Sequence, residues 1–515
     1  MQRRSAWRAR CAALISGLAA CSSPPGGENA PESGRVGSAG AGGVLGDGGQ
    51  GSGAASGSAG AGAGVAAGAG GSGPLTGAGT ARDAGLGESD AGAPGAAPGE
   101  LDAGSGPDDD AGVALEPEVV ERLSELSSRL APLAARTASF WFEHGPDAVS
   151  GGFHGTLDRQ GNPIAPDDKG LIQEVRHLWM LSTWYERREA TDAVRAQAEQ
   201  VYAFVRRSFV DAADGAFVYM VSRDGSRVVD AKKQLFAESY AIYALATYAR
   251  VFGDAEATAL ALGRFRSIDA SRHDAANGGY DQRGDPGTLS AGAEKDTNTH
   301  LHLLEAFSAL YEATQDTLVG ARLDELVELF ATRLRQPSGY VHAEFSLSWA
   351  PTGTPRVSYG HDLETAWLLL EAARVLGRAG DPTLRAAALD IAVHSAGPGF
   401  DAQNGGYFSA GPNGAGPDDL AKNWWVQFEA LAGLWWGYEL DPNGFYLDRL
   451  TRTLEWLEFS EDLPAGEWFA ITNPDGSAAG ANYKGDQWKA SYHSVRALLF
   501  VQDWIDAKLA GQASP

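Results

Sequence analysis

A glycine followed closely by an aromatic residue recurs six times, at nearly even spacing, after residue 150 of this chain. The six places are Gly152-Phe153, Gly215-Ala216-Phe217, Gly279-Tyr280, Gly339-Tyr340, Gly406-Tyr407 and Gly466-Glu467-Trp468. Neighbouring glycines of this set are 60 to 67 residues apart. A fixed period indicates one supersecondary unit repeated along the chain. Because glycine permits a tight or left-handed turn and an aromatic ring can anchor it to a core, we predict one such turn in each repeat.

The N-terminus has the composition of an export signal. A basic start with four arginines (Arg3, Arg4, Arg8 and Arg10) precedes an apolar run that is too short to span a membrane as a helix. The run ends in Leu18-Ala19-Ala20-Cys21, which resembles the lipobox of bacterial lipoproteins. The resemblance implies a signal peptide over residues 1–20, lipidation of Cys21, and a protein anchored in the cell envelope on the periplasmic or outer-membrane face. An ordinary cleaved signal is the alternative.

Residues 21–114 form a low-complexity segment of Gly, Ala, Ser, Pro and Asp with almost no large apolar residue. Such a segment cannot bury enough surface to offset its ordering entropy, so we predict a disordered linker. With Cys11 in the signal peptide and Cys21 lipidated, no disulfide is expected. The net charge of −25 argues against a nucleic-acid partner. Residues 115–510 suffice for one large domain, which we expect to be monomeric.

Apolar residues at helical spacing predict about twelve helices in this domain. The predicted spans are 116–144, 171–187, 191–209, 232–252, 254–271, 295–315, 318–335, 361–378, 382–395, 421–440, 443–459 and 487–508. Short breakers join them in six pairs, and each glycine–aromatic turn lies in a longer loop between pairs. Six helical hairpins close most simply into an all-α (α/α)6 barrel. The helices after the long loops should then form the inner ring and begin at one mouth.

Residues suited to chemistry are concentrated near the starts of the even-numbered helices. They are Arg176, Trp179, Lys233, His302, His361, Glu364, Trp424, Trp425, Trp488 and His493. Residues three apart share a helix face, so Glu364 is expected to hold the His361 ring and fix its tautomer. An imidazole oriented by a carboxylate is suited to proton transfer near neutral pH. A packed structural histidine beside a surface glutamate is the alternative.

The His-x-His spacing of His300 and His302 resembles a metal-binding pattern, but helix geometry argues against it. Residues two apart point in different directions, whereas Asn298 and His302 are four apart and share a face. We therefore predict His302 in the cavity, His300 in a structural role, and no metal site. His493 supplies a third imidazole, and Arg176 supplies a permanent cation that can stabilise an oxyanion.

The chemistry of this set favours proton abstraction beside a carbonyl. Glycoside hydrolysis needs two carboxylates flanking one bond, and none of the candidates stands out as such a pair: Glu174, Glu238, Glu305 and Glu364. Indole rings match the apolar C–H faces of sugars, which makes Trp425 and Trp488 candidates for a carbohydrate cleft.

Four ordered motifs together resemble the N-acylglucosamine 2-epimerase superfamily, most closely its cellobiose 2-epimerase branch. They span residues 298–306, 358–364, 424–427 and 488–493, and the resemblance covers about residues 120 to 505. It implies an (α/α)6 barrel without metal or cofactor that epimerises C2 of a reducing-end sugar through a cis-enediolate. A disaccharide such as cellobiose is the implied substrate, with its reducing-end glucose converted to mannose.

The resemblance also implies roles for individual residues. His361 and His493 are acid/base partners on opposite sides of the opened sugar, and Glu364 supports His361. His302 and Arg176 bind and polarise the carbonyl end. The residues implied to line the sugar subsites are Asn298, Trp424, Trp425 and Trp488.

Four positions depart from the family pattern and leave the substrate open. Phe236 stands where we expect a tyrosine that contacts the sugar, and Ser491, Ser494 and Phe428 replace a usual proline, asparagine and alanine. Two alternatives keep the site but change the reaction: a monosaccharide aldose–ketose isomerase and an N-acyl-sugar 2-epimerase. An alternative of another class is a non-catalytic, glycan-binding surface lipoprotein.

Overall fold

The computed structural model describes residues 115–285, 289–463, 466–480 and 483–512, and twelve α-helices follow one another within them. They are α1 Pro117–His144, α2 Leu171–Arg187, α3 Asp192–Ser208, α4 Leu235–Phe252, α5 Ala255–Arg272, α6 Thr297–Thr314, α7 Thr317–Leu329, α8 Tyr359–Val375, α9 Pro382–Ala396, α10 Trp424–Leu440, α11 Gly444–Ser460 and α12 Tyr492–Gln512. A π-helical turn, Phe330–Leu334, extends α7. The predicted signal peptide, the lipidation of Cys21 and the predicted linker lie outside the described residues.

The even-numbered helices form a closed inner ring. Each contacts the next in the order α2, α4, α6, α8, α10 and α12, and α12 returns to contact α2. The odd-numbered helices pack outside, with α3 on α2, α5 on α4, α7 on α6, α9 on α8, α11 on α10, and α1 on α12. The predicted (α/α)6 barrel is confirmed, with the first and last helices as the sixth hairpin.

Burial along the helices explains which of them lie inside. In α2 every residue from Leu171 to Trp184 is buried, whereas α3 buries a stripe at helical spacing that includes Val194, Ala198 and Val201. A helix that is buried all round belongs to the core of a protein, and one with a single apolar stripe belongs to its surface. The inner helices can therefore carry polar groups only where those groups find partners.

The repeated glycine–aromatic turn is fastened to the next inner helix by one recurring hydrogen bond. In five of the turns a backbone N–H group donates to the side chain of the fourth residue of the inner helix. The pairs are Phe153 to Glu174, Phe217 to Glu238, Tyr280 to His300, Val341 (next to Tyr340) to Asp362, and Tyr407 to Gln427. Gly152 has a φ of 70°, and a Cβ there would lie 2.6 Å from Oε2 of Glu174. Only glycine allows both this conformation and this close approach.

Pairs of aspartate and lysine, 21 or 22 residues apart, hold the same turns. The Nζ atom of the lysine is 2.7 to 3.1 Å from the aspartate in Lys169–Asp147, Lys233–Asp211, Lys295–Asp274, Lys422–Asp401 and Lys484–Asp462. Lys233 precedes α4 and also bonds Asp214 at 2.6 Å. The prediction that Lys233 belongs to the functional site is therefore corrected, because both of its partners lie in a turn.

Short strands surround the end of the barrel at which the inner helices begin, which we call the N-terminal mouth. They are β1 Lys169–Gly170, β2 Met220–Val221, β3 Val228–Asp230, β4 Lys295–Asp296, β5 Glu344–Phe345, β6 Arg356–Ser358, β7 Ala410–Pro412, β8 Lys422–Asn423 and β9 Ile471–Thr472. β1, β2 and β3 form one sheet, and the others pair antiparallel as β4–β5, β6–β7 and β8–β9. Strands β1, β4, β6 and β8 lead directly into inner helices and so fix where these begin. In the part of the chain that the structure describes, none of the helices has the length and apolar character needed to cross a membrane.

Candidate active site

His493 is the second residue of α12 and is held by a carboxylate from α10. Its Nδ1 lies 2.6 Å from Oε1 of Glu429, and its Nε2 lies 3.4 Å from Nη2 of Arg176. A carboxylate partner places the ring hydrogen on Nδ1 and leaves a lone pair on Nε2. Burial lowers the pKa of His493 to about 3, although Glu429 acts in the opposite direction. His493 is therefore a neutral imidazole with a fixed orientation.

A chain of hydrogen bonds joins Arg176 on α2 to His302 on α6. Nη2 of Arg176 donates to the Tyr240 hydroxyl at 2.7 Å, and this hydroxyl lies 2.8 Å from Nε2 of His302. On the other side of the ring, Nδ1 of His302 is 3.2 Å from Oε2 of Glu305. Burial lowers the pKa of His302 as well. This wall of the pocket therefore presents a guanidinium cation, whereas both ring nitrogens of His302 are engaged by protein groups.

His361, the third residue of α8, shares an aromatic neighbour with His493. Its ring centroid lies 4.7 Å from that of Trp425, and the ring of Trp425 lies 5.8 Å from that of His493. Enclosure in the barrel lowers the pKa of His361 to about 4, and the neighbouring His302 acts in the same direction. The structure thus brings the three imidazoles named from the sequence around one pocket at the N-terminal mouth.

Glu364 does not hold His361, which corrects the sequence-based expectation. Its Oε1 accepts a hydrogen bond from Arg496 at 2.6 Å, and its Oε2 is buried without a hydrogen-bond partner among the described residues. A buried guanidinium is a stronger partner for a carboxyl group than a neutral imidazole is. The carboxylates that orient imidazoles here are Glu429, from a neighbouring inner helix, and Glu305.

Arg496 lies at the centre of three buried carboxyl groups. It is 1 % exposed and bonds Glu305, Glu364 and Glu429, the last at 2.7 Å. Burial together with the charge of Glu429 raises the pKa of Glu364 well above its usual value. For Glu305 and Glu429 burial also acts upward, but Arg496 and their imidazole partners outweigh it and hold both pKa values below the usual range. Of the three carboxyl groups, Glu364 is therefore the one that holds a proton most readily.

Aromatic side chains border the pocket. Trp424 meets the His493 ring edge-on at 6.2 Å, and its buried indole N–H has no partner in the described part of the chain. Trp488 is 44 % exposed and lies in the loop before α12 rather than on that helix, where the sequence had placed it. Its carbonyl oxygen accepts a hydrogen bond from Arg176. These indoles are available to a ligand at the mouth.

Asn298, His300 and Trp179 were also named from the sequence, and the structure places them in different surroundings. Asn298 is partly exposed, one turn before His302 on α6. His300 is engaged in structure, because its Nδ1 lies 2.6 Å from the carbonyl oxygen of Asp296 and its Nε2 accepts the Tyr280 N–H. Trp179 is buried below the pocket and packs edge-on against Tyr492 at 5.2 Å.

Of the four positions that depart from the family pattern, Phe236 lies at the pocket. Its ring is 5.4 Å from that of His302 and 6.4 Å from that of Trp488. The other three contact the surrounding structure: Ser491 bonds His177 at 3.0 Å, Ser494 donates to the carbonyl oxygen of Ser491, and Phe428 packs on Trp468. A different substrate preference would therefore be expressed through Phe236.

Among the residues that the structure describes, two groups of side chains have the spacing of metal ligands, but cations of the protein already engage them. One consists of Glu364, Glu429 and His493, and the other of Asp147, His154 and Asp167. Arg496 bonds both carboxyl groups of the first. Arg223 reaches both aspartates of the second, at 2.8 and 3.3 Å. These donor sets serve as partners of arginine.

Sequence reasoning missed Glu429, Arg496, Tyr240 and Tyr492, the last of which donates its hydroxyl hydrogen to Glu305. A signal for two of them was present, because Glu429 is the one charged residue between Trp424 and Tyr438, and Arg496 is alone in the apolar run from Val495 to Val501. A single charge in a helix that is otherwise apolar must find a partner inside the protein. Tyr240 and Tyr492 give no such signal, because tyrosine is common in buried helices.

Comparisons with known proteins place the chain in a family. The family model described as N-acylglucosamine 2-epimerase (GlcNAc 2-epimerase) matches residues 151–497. The chain belongs to this family. A cellobiose 2-epimerase of Bacteroides fragilis is 30 % identical over 403 residues, which cover 74 % of this chain and 97 % of that protein. A mannose-6-phosphate isomerase of Rhizobium meliloti is 30 % identical over 250 residues, which cover 46 % and 61 %.

A solved structure agrees with the sequence relatives. The cellobiose 2-epimerase from Spirochaeta thermophila has a TM-score of 0.69 and 32 % identity to this chain, of which it covers 77 %, and the match covers 100 % of that structure. The N-acylglucosamine 2-epimerase family, the (α/α)6 barrel and the enzyme class predicted from the sequence are thereby confirmed. The chain is a sugar 2-epimerase, which is an isomerase.

Proposed function

We propose that this enzyme epimerises C2 of the reducing-end sugar of a disaccharide such as cellobiose, interconverting glucose and mannose. The observation that carries the proposal is the position of His361 and His493 against the same indole, with the Arg176 cation beside them. The two cellobiose 2-epimerases support the choice of a disaccharide, because nearly the whole length of each of them matches this chain.

The first chemical step is removal of the C2 proton from the ring-opened sugar. Arg176 binds the carbonyl oxygen at C1, and His302 supports Arg176 through the Tyr240 hydroxyl group. An imidazole takes the proton from C2. The electron pair of the C–H bond moves toward C1, so that negative charge develops on the oxygen and a cis-enediolate forms. Preorganised donors aimed at that oxygen stabilise this charge. His493 suits the role of base because Glu429 holds the ring hydrogen on Nδ1, which leaves Nε2 unprotonated beside Arg176.

The second step returns a proton to the opposite face of C2. Low pKa values keep both imidazoles neutral in the free enzyme, but an anion beside an imidazole favours its protonated form. The enediolate therefore promotes protonation of His361 by solvent, and His361 then donates this proton to C2. His493 releases the proton that it took from C2 to solvent, so that both imidazoles end neutral. The C1 carbonyl re-forms and the configuration at C2 is inverted. The reverse reaction exchanges the roles of His361 and His493.

Glu364 supports this chemistry through Arg496 rather than through His361. Its carboxyl group accepts a hydrogen bond from Arg496, and Arg496 in turn bonds Glu429, the partner of His493. Glu364 is thus a positioning residue. The sugar subsites are lined by Asn298, Trp424, Trp425 and Trp488, with the indoles stacking on C–H faces.

A monosaccharide aldose–ketose isomerase is the second candidate function. It is favoured by the isomerase relative and by Phe236, which lacks the hydroxyl group expected for contact with the sugar. The two candidates share proton removal from C2 and differ in the carbon that receives the proton. Return to C1 yields a ketose, whereas return to C2 yields the epimer.

The test is incubation of the full-length protein with cellobiose, lactose, mannobiose, glucose and mannose in D2O, followed by NMR of the recovered sugars. We expect solvent deuterium at C2 and a product that is the 2-epimer of the disaccharide. A ketose product would favour the second candidate. The control is His493→Ala, which should leave C2 unlabelled. Absence of exchange with all five sugars would contradict both candidates.

We also propose that Cys21 is lipidated and anchors the enzyme in the cell envelope. The support is the basic start, the short apolar run and the lipobox-like sequence that ends at Cys21. Two acyl chains hold a protein stably on a membrane. Cys21→Ser should therefore abolish incorporation of a fatty-acid label and release the enzyme from the membrane fraction. Equal labelling of the variant and the unaltered chain would contradict the proposal.

A further inference from the structure

A second cavity opens at the opposite end of the barrel, which we call the C-terminal mouth. It has a volume of about 370 Å³ and lies among the later turns of α2, α4, α6 and α8, with Phe500 of α12. The imidazoles of the active site lie in the first two turns of their helices, so they and this cavity lie toward opposite ends of the ring. Ligand pockets have volumes of roughly 300 to 1,000 Å³, so this one is large enough for a small sugar.

The walls of this cavity combine flat aromatic surface with hydroxyl groups. Trp179, Trp367 and Phe500 line it, and Phe500 lies edge-on to both indoles, at 6.1 and 6.3 Å. Thr183 and Ser308 add hydroxyl groups among these rings. A sugar presents apolar C–H faces and many hydroxyl groups, so it can satisfy both kinds of wall.

The charges at the rim are paired, which favours a neutral ligand over an anion. Arg250 bonds Glu186 at 2.9 Å, and Arg374 bonds Glu312 at 3.2 Å and Glu371 at 2.6 Å. An anion would have to displace a carboxylate from one of these arginines. A neutral hydroxyl group can instead add to the pairs, because it both donates to carboxylates and accepts from guanidinium groups.

The inner wall of this cavity also supports the active site. Glu305 lines the cavity and bonds Nδ1 of His302. Trp367 lines it too, and its indole N–H donates to Oε2 of Glu429 at 3.0 Å. Because Glu429 holds His493, one layer of side chains separates the cavity from two of the three imidazoles.

We infer that the cavity at the C-terminal mouth is a second binding site, for a neutral sugar of monosaccharide or disaccharide size. A sugar bound there contacts Glu305 and Trp367. Because these two residues bond His302 and Glu429, binding changes the surroundings of His302 and His493 and so alters turnover at the first site. Binding there requires no reaction, and the inference can therefore be tested separately from the proposed epimerisation.

The binding test uses methyl β-D-glucopyranoside, whose blocked anomeric carbon prevents ring opening and reaction. Saturation-transfer NMR and calorimetry on the full-length chain measure its affinity. Ala309→Trp fills the cavity from α6, and Ala313→Trp is the matched control, one turn later on the same helix and outside the lining. The double variant Trp425→Ala/Trp488→Ala removes two of the indoles that line the first site.

We expect the double variant and Ala313→Trp to keep a binding site for the glucoside, and Ala309→Trp to weaken that site about tenfold or more. Equal affinity in Ala309→Trp and Ala313→Trp would overturn the inference, as would loss of all binding in the double variant or absence of binding to the unaltered chain. Circular dichroism checks folding. Ala309→Leu is a milder filling variant, and it should weaken the same site to a smaller degree.

The effect of the second site on turnover is measured as kcat at saturating cellobiose, so that the glucoside does not compete at the first site. The glucoside should then change kcat in the unaltered chain and in Ala313→Trp but leave that of Ala309→Trp unaffected. An unchanged kcat while the glucoside is bound would contradict the claim that the second site influences turnover. The binding result would stand by itself. Failure of cellobiose to react at all would contradict the proposed function without touching the binding result.

Discussion

His493 and His361 lie against the same indole ring, but only His493 is held by a carboxylate. Nδ1 of His493 is 2.6 Å from Glu429, whereas His361 packs on Trp425 and is partly exposed. The difference shows that the carboxylate that orients an imidazole in this barrel can come from the neighbouring inner helix. We infer that His493 has one fixed orientation and that His361 can adjust to the sugar.

The largest expected effect comes from removing either imidazole. His493→Ala and His361→Ala should each lower kcat by about 10²- to 10⁴-fold, because a positioned acid or base contributes a factor of that size. Steady-state kinetics with cellobiose and circular dichroism measure activity and helical content. His273→Ala, which alters an imidazole that bonds Glu325 outside the pocket, is the control and should keep its kcat. A near-normal rate in His361→Ala would break the proposed pairing.

The second prediction compares the carboxyl groups of Glu429 and Glu364. Glu429→Gln removes the charge that orients His493, and kcat should fall about 10- to 100-fold, as for carboxylates that orient metal-bound imidazoles. Glu364→Gln should cost less, because Glu364 bonds Arg496 rather than an imidazole and an amide oxygen can still accept from Arg496. Larger loss in Glu364→Gln than in Glu429→Gln would show that Glu364 supports His361 after all.

The third prediction uses the low pKa of His493 in the folded protein. The pKa of His493 is about 3 in the folded protein, whereas that of a histidine in an unfolded chain is about 6.5. Between these values the unfolded chain binds a proton that the folded chain does not, so stability due to a neutral His493 is present above about pH 6.5 and is lost as the pH falls. His493→Gln lacks this dependence. The unfolding free energy of the unaltered chain relative to this variant should fall by about 1.4 kcal/mol per pH unit below pH 6.

Urea denaturation of both proteins at pH values between about 6 and 5 measures this difference. Other titrating groups are common to the two proteins and cancel in the comparison. A difference in unfolding free energy that does not change with pH would show that His493 titrates normally in the folded protein. In that case the effect of Glu429, which raises the pKa of His493, would offset the effect of burial, which lowers it.

The smallest expected effect is that of Phe236→Tyr. The added hydroxyl group lies near the rings of His302 and Trp488 and can donate one hydrogen bond to the sugar. A neutral hydrogen bond contributes about 0.5 to 1.5 kcal/mol, so KM for cellobiose should fall a few-fold while kcat is unchanged. Tyr219→Phe, which removes a hydroxyl group near Trp488, is the comparison variant. A large fall in kcat for Phe236→Tyr would place this position in the chemistry.

The sequence predicts the barrel well because apolar residues recur at helical spacing along its helices and its turns repeat. The spacing of Asp147 and Lys169, and of Asp211 and Lys233, also repeats, and it could have identified Lys233 as a turn residue. The two- and three-residue strands could not be predicted, because they are too short to show an alternating pattern.

The candidate site is predicted only in part. The three imidazoles and Arg176 were found because they stand out near helix starts, but their partners depend on contacts between helices. Glu429 meets His493 only when α10 and α12 pack at one particular register. Sequence spacing instead suggested Glu364 for His361, since residues three apart on one helix are easily recognised. The stronger attraction of Arg496, 132 residues away, could not be read from that spacing.

The most direct test of the account is a crystal structure with cellobiitol, the reduced and open-chain form of cellobiose. The account predicts that its C2 lies between the imidazoles of His361 and His493, within about 3 to 3.5 Å of a ring nitrogen of each. The C1 hydroxyl group should face Arg176. A structure with C2 remote from both imidazoles, or with both on the same face of the carbon, would contradict the central claim.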